Sequence, residues 1–278
     1  MSHRHSSENS MRYVFLCALL CACLTACGGG GKGQPPPGGP QSAGGIWFGP
    51  GAGGGLVSFF IAENGDLQAQ LRLDGAFLPS HGAGTISVAE DNVVSGSFEL
   101  AGDRLLPTQL SEDLGCSVSG TVLERQTLSI DVICADSNGV VYDETLAMMY
   151  DGSIYERNSS LDAIAGDYTF TFIPSGNFLA ISDDGTITGS YNNGGAQCLV
   201  NGTAAIIDAD YTLLDISWTM SSCIANTPLM PIDYEGVQVS GFAIEILSPT
   251  GAPGSYFFIL TGRAGDRVFS INVGYDRI

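Results

Sequence analysis

Apolar and polar positions alternate in short runs along most of the chain. Leu128, Ile130, Val132 and Cys134 interleave with Thr127, Ser129 and Asp131. This period of two marks a strand with one buried face. Residues 115–124 alternate the same way, so Glu124-Arg125 reads as the turn of a hairpin. Asn64-Gly65-Asp66 joins 56–62 to 67–73, and Asn-Gly favours the primed hairpin turns. Asp136-Ser137-Asn138-Gly139 leads into 140–150, and Asp183-Asp184-Gly185 joins 178–182 to 186–191. Three further strands fall at 237–247, 256–262 and 268–275. The one helix predicted is a single turn at 161–165, capped by Ser159 or Ser160 and ended by Gly166.

The pattern repeats about that turn. Gly45-Ile46-Trp47 opens one half and Gly166-Asp167-Tyr168 the other. Each half continues with a strand, an Asn/Asp-Gly turn and a strand, and carries one cysteine pair. Gly-Thr follows the first cysteine of each pair, as Gly120-Thr121 and Gly202-Thr203, and each half closes in Tyr-Asp, at Tyr150-Asp151 and Tyr275-Asp276. The predicted fold is all-β: two tandem antiparallel β-barrel or β-sandwich units, at 45–158 and 159–278. The alternative is one larger β domain.

The first 26 residues follow a different pattern. Arg12 precedes an apolar run over 13–24, shorter than the ~20 residues of a membrane-spanning helix. A basic start, a short apolar core and small residues at the end make a secretory leader, whose initiator is Met1 or Met11. Leu24-Thr25-Ala26-Cys27 resembles the lipobox of bacterial lipoproteins. That resemblance implies cleavage before Cys27 and acyl chains on Cys27 that attach the protein to a membrane. Gly28 stands where an Asp would signal inner-membrane retention, which implies the outer membrane, with the periplasmic or surface face left open. Residues 27–44, rich in Gly and Pro, read as the lipidated cysteine and a flexible tether.

From Cys27 onward, eight basic residues stand against 28 Asp and Glu, a charge that argues against nucleic acid as a partner. Four cysteines remain: Cys116, Cys134, Cys198 and Cys223. An even count in an oxidising compartment reads as two disulfides. Cys116 and Cys134 lie symmetrically about Glu124-Arg125, and Cys198 and Cys223 nearly so about 208–211, so each pair is expected to close its own hairpin.

The run 150–161, followed by Ile164-Ala165-Gly166-Asp167-Tyr168-Thr169, is similar to the middle of a group of uncharacterised proteobacterial lipoproteins. Their second half matches Asp184-Gly185, Cys198, Gly202-Thr203, Ile206-Ile207-Asp208 and Cys223 here. The resemblance implies an outer-membrane lipoprotein of β fold and brings no activity.

Chemistry is sparse. His81 is the only histidine after the leader, and Pro79-Ser80-His81-Gly82-Ala83-Gly84 reads as a Gly-rich loop that exposes it. No Gly-x-Ser-x-Gly elbow frames a nucleophile. The pairs Asp183/Asp184 and Asp208/Asp210 fall in predicted turns, where Asp bonds nearby backbone. No enzymatic activity, cofactor or metal is expected. The reading is a lipid-anchored envelope protein serving as an interaction or structural module, with an envelope protein, glycan or small ligand as partner. Gly45-Ile46-Trp47 also resembles the Gly-x-Trp start of lipocalin-like barrels, which gives the alternative: a carrier of a small apolar ligand or glycan. Trp47 and Trp218 are the expected core tryptophans.

Overall fold

A computed structural model describes residues 41–51, 55–71, 80–101, 113–169, 177–192, 196–225, 234–246, 255–265 and 267–277. Cys27 and the leader lie outside these residues. The chain forms two closed eight-stranded barrels in succession, each an up-and-down antiparallel meander. The first comprises β1 (Gly45–Pro50), β2 (Leu56–Ile61), β3 (Asp66–Leu71), β4 (Ser80–Val88), β5 (Val93–Leu100), β6 (Leu114–Leu123), β7 (Thr127–Asp136) and β8 (Gly139–Tyr150). The second comprises β9 (Gly166–Thr169), β10 (Phe178–Ile181), β11 (Thr186–Asn192), β12 (Ala196–Ile206), β13 (Leu214–Ala225), β14 (Gln238–Ile246), β15 (Ser255–Ala264) and β16 (Arg267–Arg277). Trp47 opposite Tyr150 closes the first, and Thr169 opposite Asp276 closes the second. Closure pairs the first strand of each barrel with its last and so shortens the edges a sheet would otherwise present.

The alternation seen in the sequence sets the inner and outer faces. In β7 every second residue, from Leu128 to Cys134, is buried, and those between are exposed. An eight-stranded barrel is just wide enough for its side chains to fill it. Accordingly Trp47, Phe59, Phe98, Leu128 and Met148 belong to one contiguous core in the first barrel, and Tyr168, Trp218, Met220 and Phe258 to another in the second.

Two short helices join the barrels: α1 (Gly152–Tyr155) and α2 (Leu161–Ile164). The second is the predicted one, capped by the Ser160 hydroxyl, which accepts from the Ala163 amide at 3.1 Å. The first, capped by Asp151, was not expected.

Pairing registers show how the halves correspond. Gly45 lies opposite Ile61 and Gly166 opposite Ile181, which equates Trp47 with Tyr168. Both side chains donate to a carbonyl four residues earlier, Trp47 Nε1 to Ala43 at 2.9 Å and the Tyr168 hydroxyl to Ile164. Further along, Gly84 pairs with Phe98 and Gly202 with Trp218, so Gly202-Thr203 corresponds to Gly84-Thr85 rather than to Gly120-Thr121. A Cβ at either glycine would stand 2.5 Å from the Cβ of the opposed aromatic residue, so a bare backbone is needed for the ring to cross.

The barrels pack side by side. The outer faces of β1 and β2 (Ile46, Phe60) meet those of β14 and β15 (Phe242, Ile244, Ile259) in a third apolar cluster with Tyr155 and Leu213. At the end carrying the β2–β3, β4–β5 and β6–β7 turns, Arg125 Nη2 donates to the Tyr211 hydroxyl at 2.6 Å. At the opposite end, Arg263 meets Glu99 at 2.5 Å and the Val268 amide donates to Asp113 at 2.8 Å. The end of the first barrel that carries its β2–β3, β4–β5 and β6–β7 turns therefore lies beside the β12–β13 end of the second, and the β15–β16 end lies beside Glu99 and Asp113.

Candidate functional site

Both predicted disulfides are present, Cys116–Cys134 and Cys198–Cys223. Each lies within a hairpin, as the spacing implied, but the hairpins do not correspond. The first bond joins β6 to β7, and the second joins β12 to β13, the equivalents of β4 and β5. The expected one-to-one match of cysteine pairs is thus corrected by the strand register. Cys116 and Cys134 are both buried inside the first barrel. Cys198 is buried as well, whereas Cys223 is partly exposed, next to a bulge where Ser222 has φ 51°. The Glu235 carboxylate accepts from the Ser222 and Cys223 amides that the bulge frees, at 3.2 and 2.9 Å.

Residues 41–44, assigned by composition to the flexible tether, pack across the turn end of the first barrel. Ala43 is buried and its carbonyl holds Trp47. Gln41 Oε1 accepts from the Glu124 amide at 2.7 Å, and the Gln41 amide reaches Asn92 Oδ1 at 3.4 Å. The Ser42 hydroxyl donates to Glu63 Oε2 at 2.5 Å. The other Glu63 oxygen accepts from the Tyr155 hydroxyl at 3.0 Å. Burial pushes the Tyr155 phenol above its ordinary range, and Glu63 adds to the shift. Tyr150, which donates to Glu156, is pushed up for the same two kinds of reason. One hydrogen-bonded network thus ties the arriving chain, the turns of the first barrel and the linker together.

His81 is not in a loop. It lies on β4, facing outward, and is 7% exposed. Polar Ser58 and Gln68, also outward-facing, are buried with it, and β4 contacts β15 and β16. The second barrel covers this face, which the sequence of one strand cannot reveal. The acidic pairs sit in turns. Asp184 accepts from the Ser182 hydroxyl and the Thr186 amide, bonds that hold its carboxyl down at about 2. Asp208 accepts from the Asp210 amide at 2.9 Å. Among the described residues, no three His, Cys, Asp or Glu converge to hold a metal ion, and no helix is long and apolar enough to cross a membrane.

A shallow depression of about 650 Å³ lies on the outside of the first barrel, walled by Thr85, Ser97, Glu99, Ser117 and Ile133. Inside the second barrel the indole N–H of Trp218 is buried with no hydrogen-bond partner among the described residues. No family model, no curated protein and no solved structure matches the chain.

Proposed function

We propose that the protein is a lipid-anchored lipoprotein of the bacterial outer membrane, related to the uncharacterised proteobacterial lipoproteins its motifs resemble. Its double barrel acts as a non-enzymatic interaction or structural module. The observation that carries the module reading is the packing of both inner faces: apolar side chains occupy each barrel from Trp47 to Met148 and from Tyr168 to Ile271. A filled interior leaves the outer surface for contact with other molecules. The lipobox at Leu24-Thr25-Ala26-Cys27 supports the anchor. Several acyl chains, at about 0.8 kcal/mol per buried CH₂, hold a protein stably at a bilayer.

A second reading, a carrier of a small apolar ligand or glycan, draws on one observation. The unpartnered Trp218 N–H is a donor that a bound acceptor would satisfy. Native mass spectrometry of the protein released from its own envelope separates the two. A bound protein partner supports the module, and a stoichiometric small molecule supports the carrier. Acyl labelling tests the anchor: Cys27→Ser should abolish it, and label retained on that variant would refute the lipobox reading.

A further inference from the structure

The outer face of the first barrel opposite its partner is unusual in so acidic a chain. At the turn end of β5 to β8 the outward residues include Val93, Thr121, Leu123, Thr127, Ala147 and Met149. They form two adjoining rows, one running from Val93 through Thr121 and Ser129 to Ala147, the other from Leu123 through Thr127 to Met149. None is charged, although the whole chain carries a net charge of −19. Val93, Leu123 and Met149 are 41, 46 and 63% exposed. The second barrel lies against the other side, over β1, β2 and β4.

The chain arrives beside this patch. Gln41 is bonded to Asn92, next to Val93, and to Glu124, next to Leu123. Only 13 residues, 28–40, separate it from Cys27. Fully extended, they span at most about 45 Å. We propose that this patch of β5 to β8 docks on the bilayer that carries the anchor, with Val93, Leu123 and Met149 entering its headgroup layer. The inference rests on the lipid anchoring proposed above. A tether holds the barrel at high effective concentration over the surface, so a few partly inserted apolar side chains bias its orientation. The charge distribution makes the lipid preference specific. Glu90, Asp91 and Glu124 flank the patch, so docking favours a zwitterionic surface and weakens as anionic lipid is added. The β3–β4 and β5–β6 connections of the first barrel, at its other end, then point away from the membrane.

The test uses the lipidated protein in phosphatidylcholine vesicles with brominated acyl chains. Leu123→Trp reports the patch, and Leu199→Trp, at an exposed outward position on the second barrel, is the control. Bromine quenching several-fold stronger at position 123 than at 199, lessened by added phosphatidylglycerol, is the expected result. Because Trp at 123 itself adds apolar surface, the protein with its native patch is also exposed to peroxide. Met149 should oxidise several-fold more slowly on vesicles than in detergent-free solution of the unacylated Cys27→Ser chain. Flotation with the vesicles but equal quenching at 123 and 199, or unprotected Met149, overturns the docking and leaves the anchor standing. A wild-type protein that does not float overturns the anchor, and the docking with it.

Discussion

Tyr155 of α1 stacks flat on Tyr211 of the β12–β13 connection, ring centroids 4.6 Å apart and planes 17° from parallel. One ring belongs to the linker and the other to the second barrel, while Tyr155 also donates to Glu63 of the first. The stack sits in the apolar cluster between the barrels, and Tyr155 is 1% exposed. Two barrels joined in this way should unfold together. Calorimetry of the wild type is expected to give one transition, and Tyr155→Ala, which removes a buried aromatic ring at a cost of about 3–5 kcal/mol, should split it into two. Two transitions in the wild type would show that the shared cluster does not couple the barrels.

Much of this arrangement was legible in the sequence, and the exceptions have physical causes. Period-two patterning and turn residues located many of the strands, because each strand buries one face locally, but not β4, whose Gly82 and Gly84 made it read as a loop, nor β5. The spacing of Cys116 from Cys134 and of Cys198 from Cys223 identified hairpin disulfides, because pairing within a hairpin follows from symmetry about its turn. Which hairpins correspond was hidden, since that depends on the registers linking Gly84 to Phe98 and Gly202 to Trp218. His81 read as an exposed loop residue because what buries it is another barrel, far along the chain. Helix α1 is four residues long, too short to show a helical period. Residues 41–44 look like tether because Gly and Ser composition does not encode the bonds they make to Glu63 and Glu124.

The two disulfides should differ in access. Cys116–Cys134 is enclosed in the first barrel, whereas Cys223 is partly exposed at a bulge. Under native conditions a graded dithiol reductant should expose Cys198 and Cys223 to alkylation before Cys116 and Cys134, read by peptide mass spectrometry. Once opened, each bond should cost about 3 kcal/mol in the chain-entropy model. For a unit of this size that lowers the melting temperature by roughly 6–12 °C. Alkylation of Cys116 and Cys134 first would contradict the burial order.

The two tryptophans make a matched comparison. Trp47 Nε1 donates to the Ala43 carbonyl, and Trp218 Nε1 has no partner among the described residues. Substitution by Phe removes similar volume from each. At 47 it also leaves a buried carbonyl unpaired, and at 218 it removes an unpaired donor, which is the state of the equivalent Phe98. Trp47→Phe should therefore destabilise more than Trp218→Phe, by about 1–3 kcal/mol in urea denaturation. An equal or reversed order would mean that the Trp218 N–H is satisfied in solution, by water or by a ligand.

Alkali should act through the buried phenols. Burial raises Tyr155, Tyr191, Tyr256 and Tyr168, the last to about 12, each because the apolar surroundings disfavour the phenolate. A phenol whose folded pKa lies above its unfolded value holds its proton more tightly in the native state. Its contribution to stability is fully present below the unfolded pKa of about 10. It is lost as pH rises from there through the folded value. The protein should thus be indifferent to pH in the neutral range as far as these groups are concerned, and lose stability steeply above pH ~10. Phenolate absorbance should rise in two phases. The first comes from accessible tyrosines, and the second is a steep step that coincides with loss of the β-sheet circular dichroism signal. A smooth single titration near the ordinary tyrosine value, with the circular dichroism unchanged, would mean that water reaches these rings in the folded barrels.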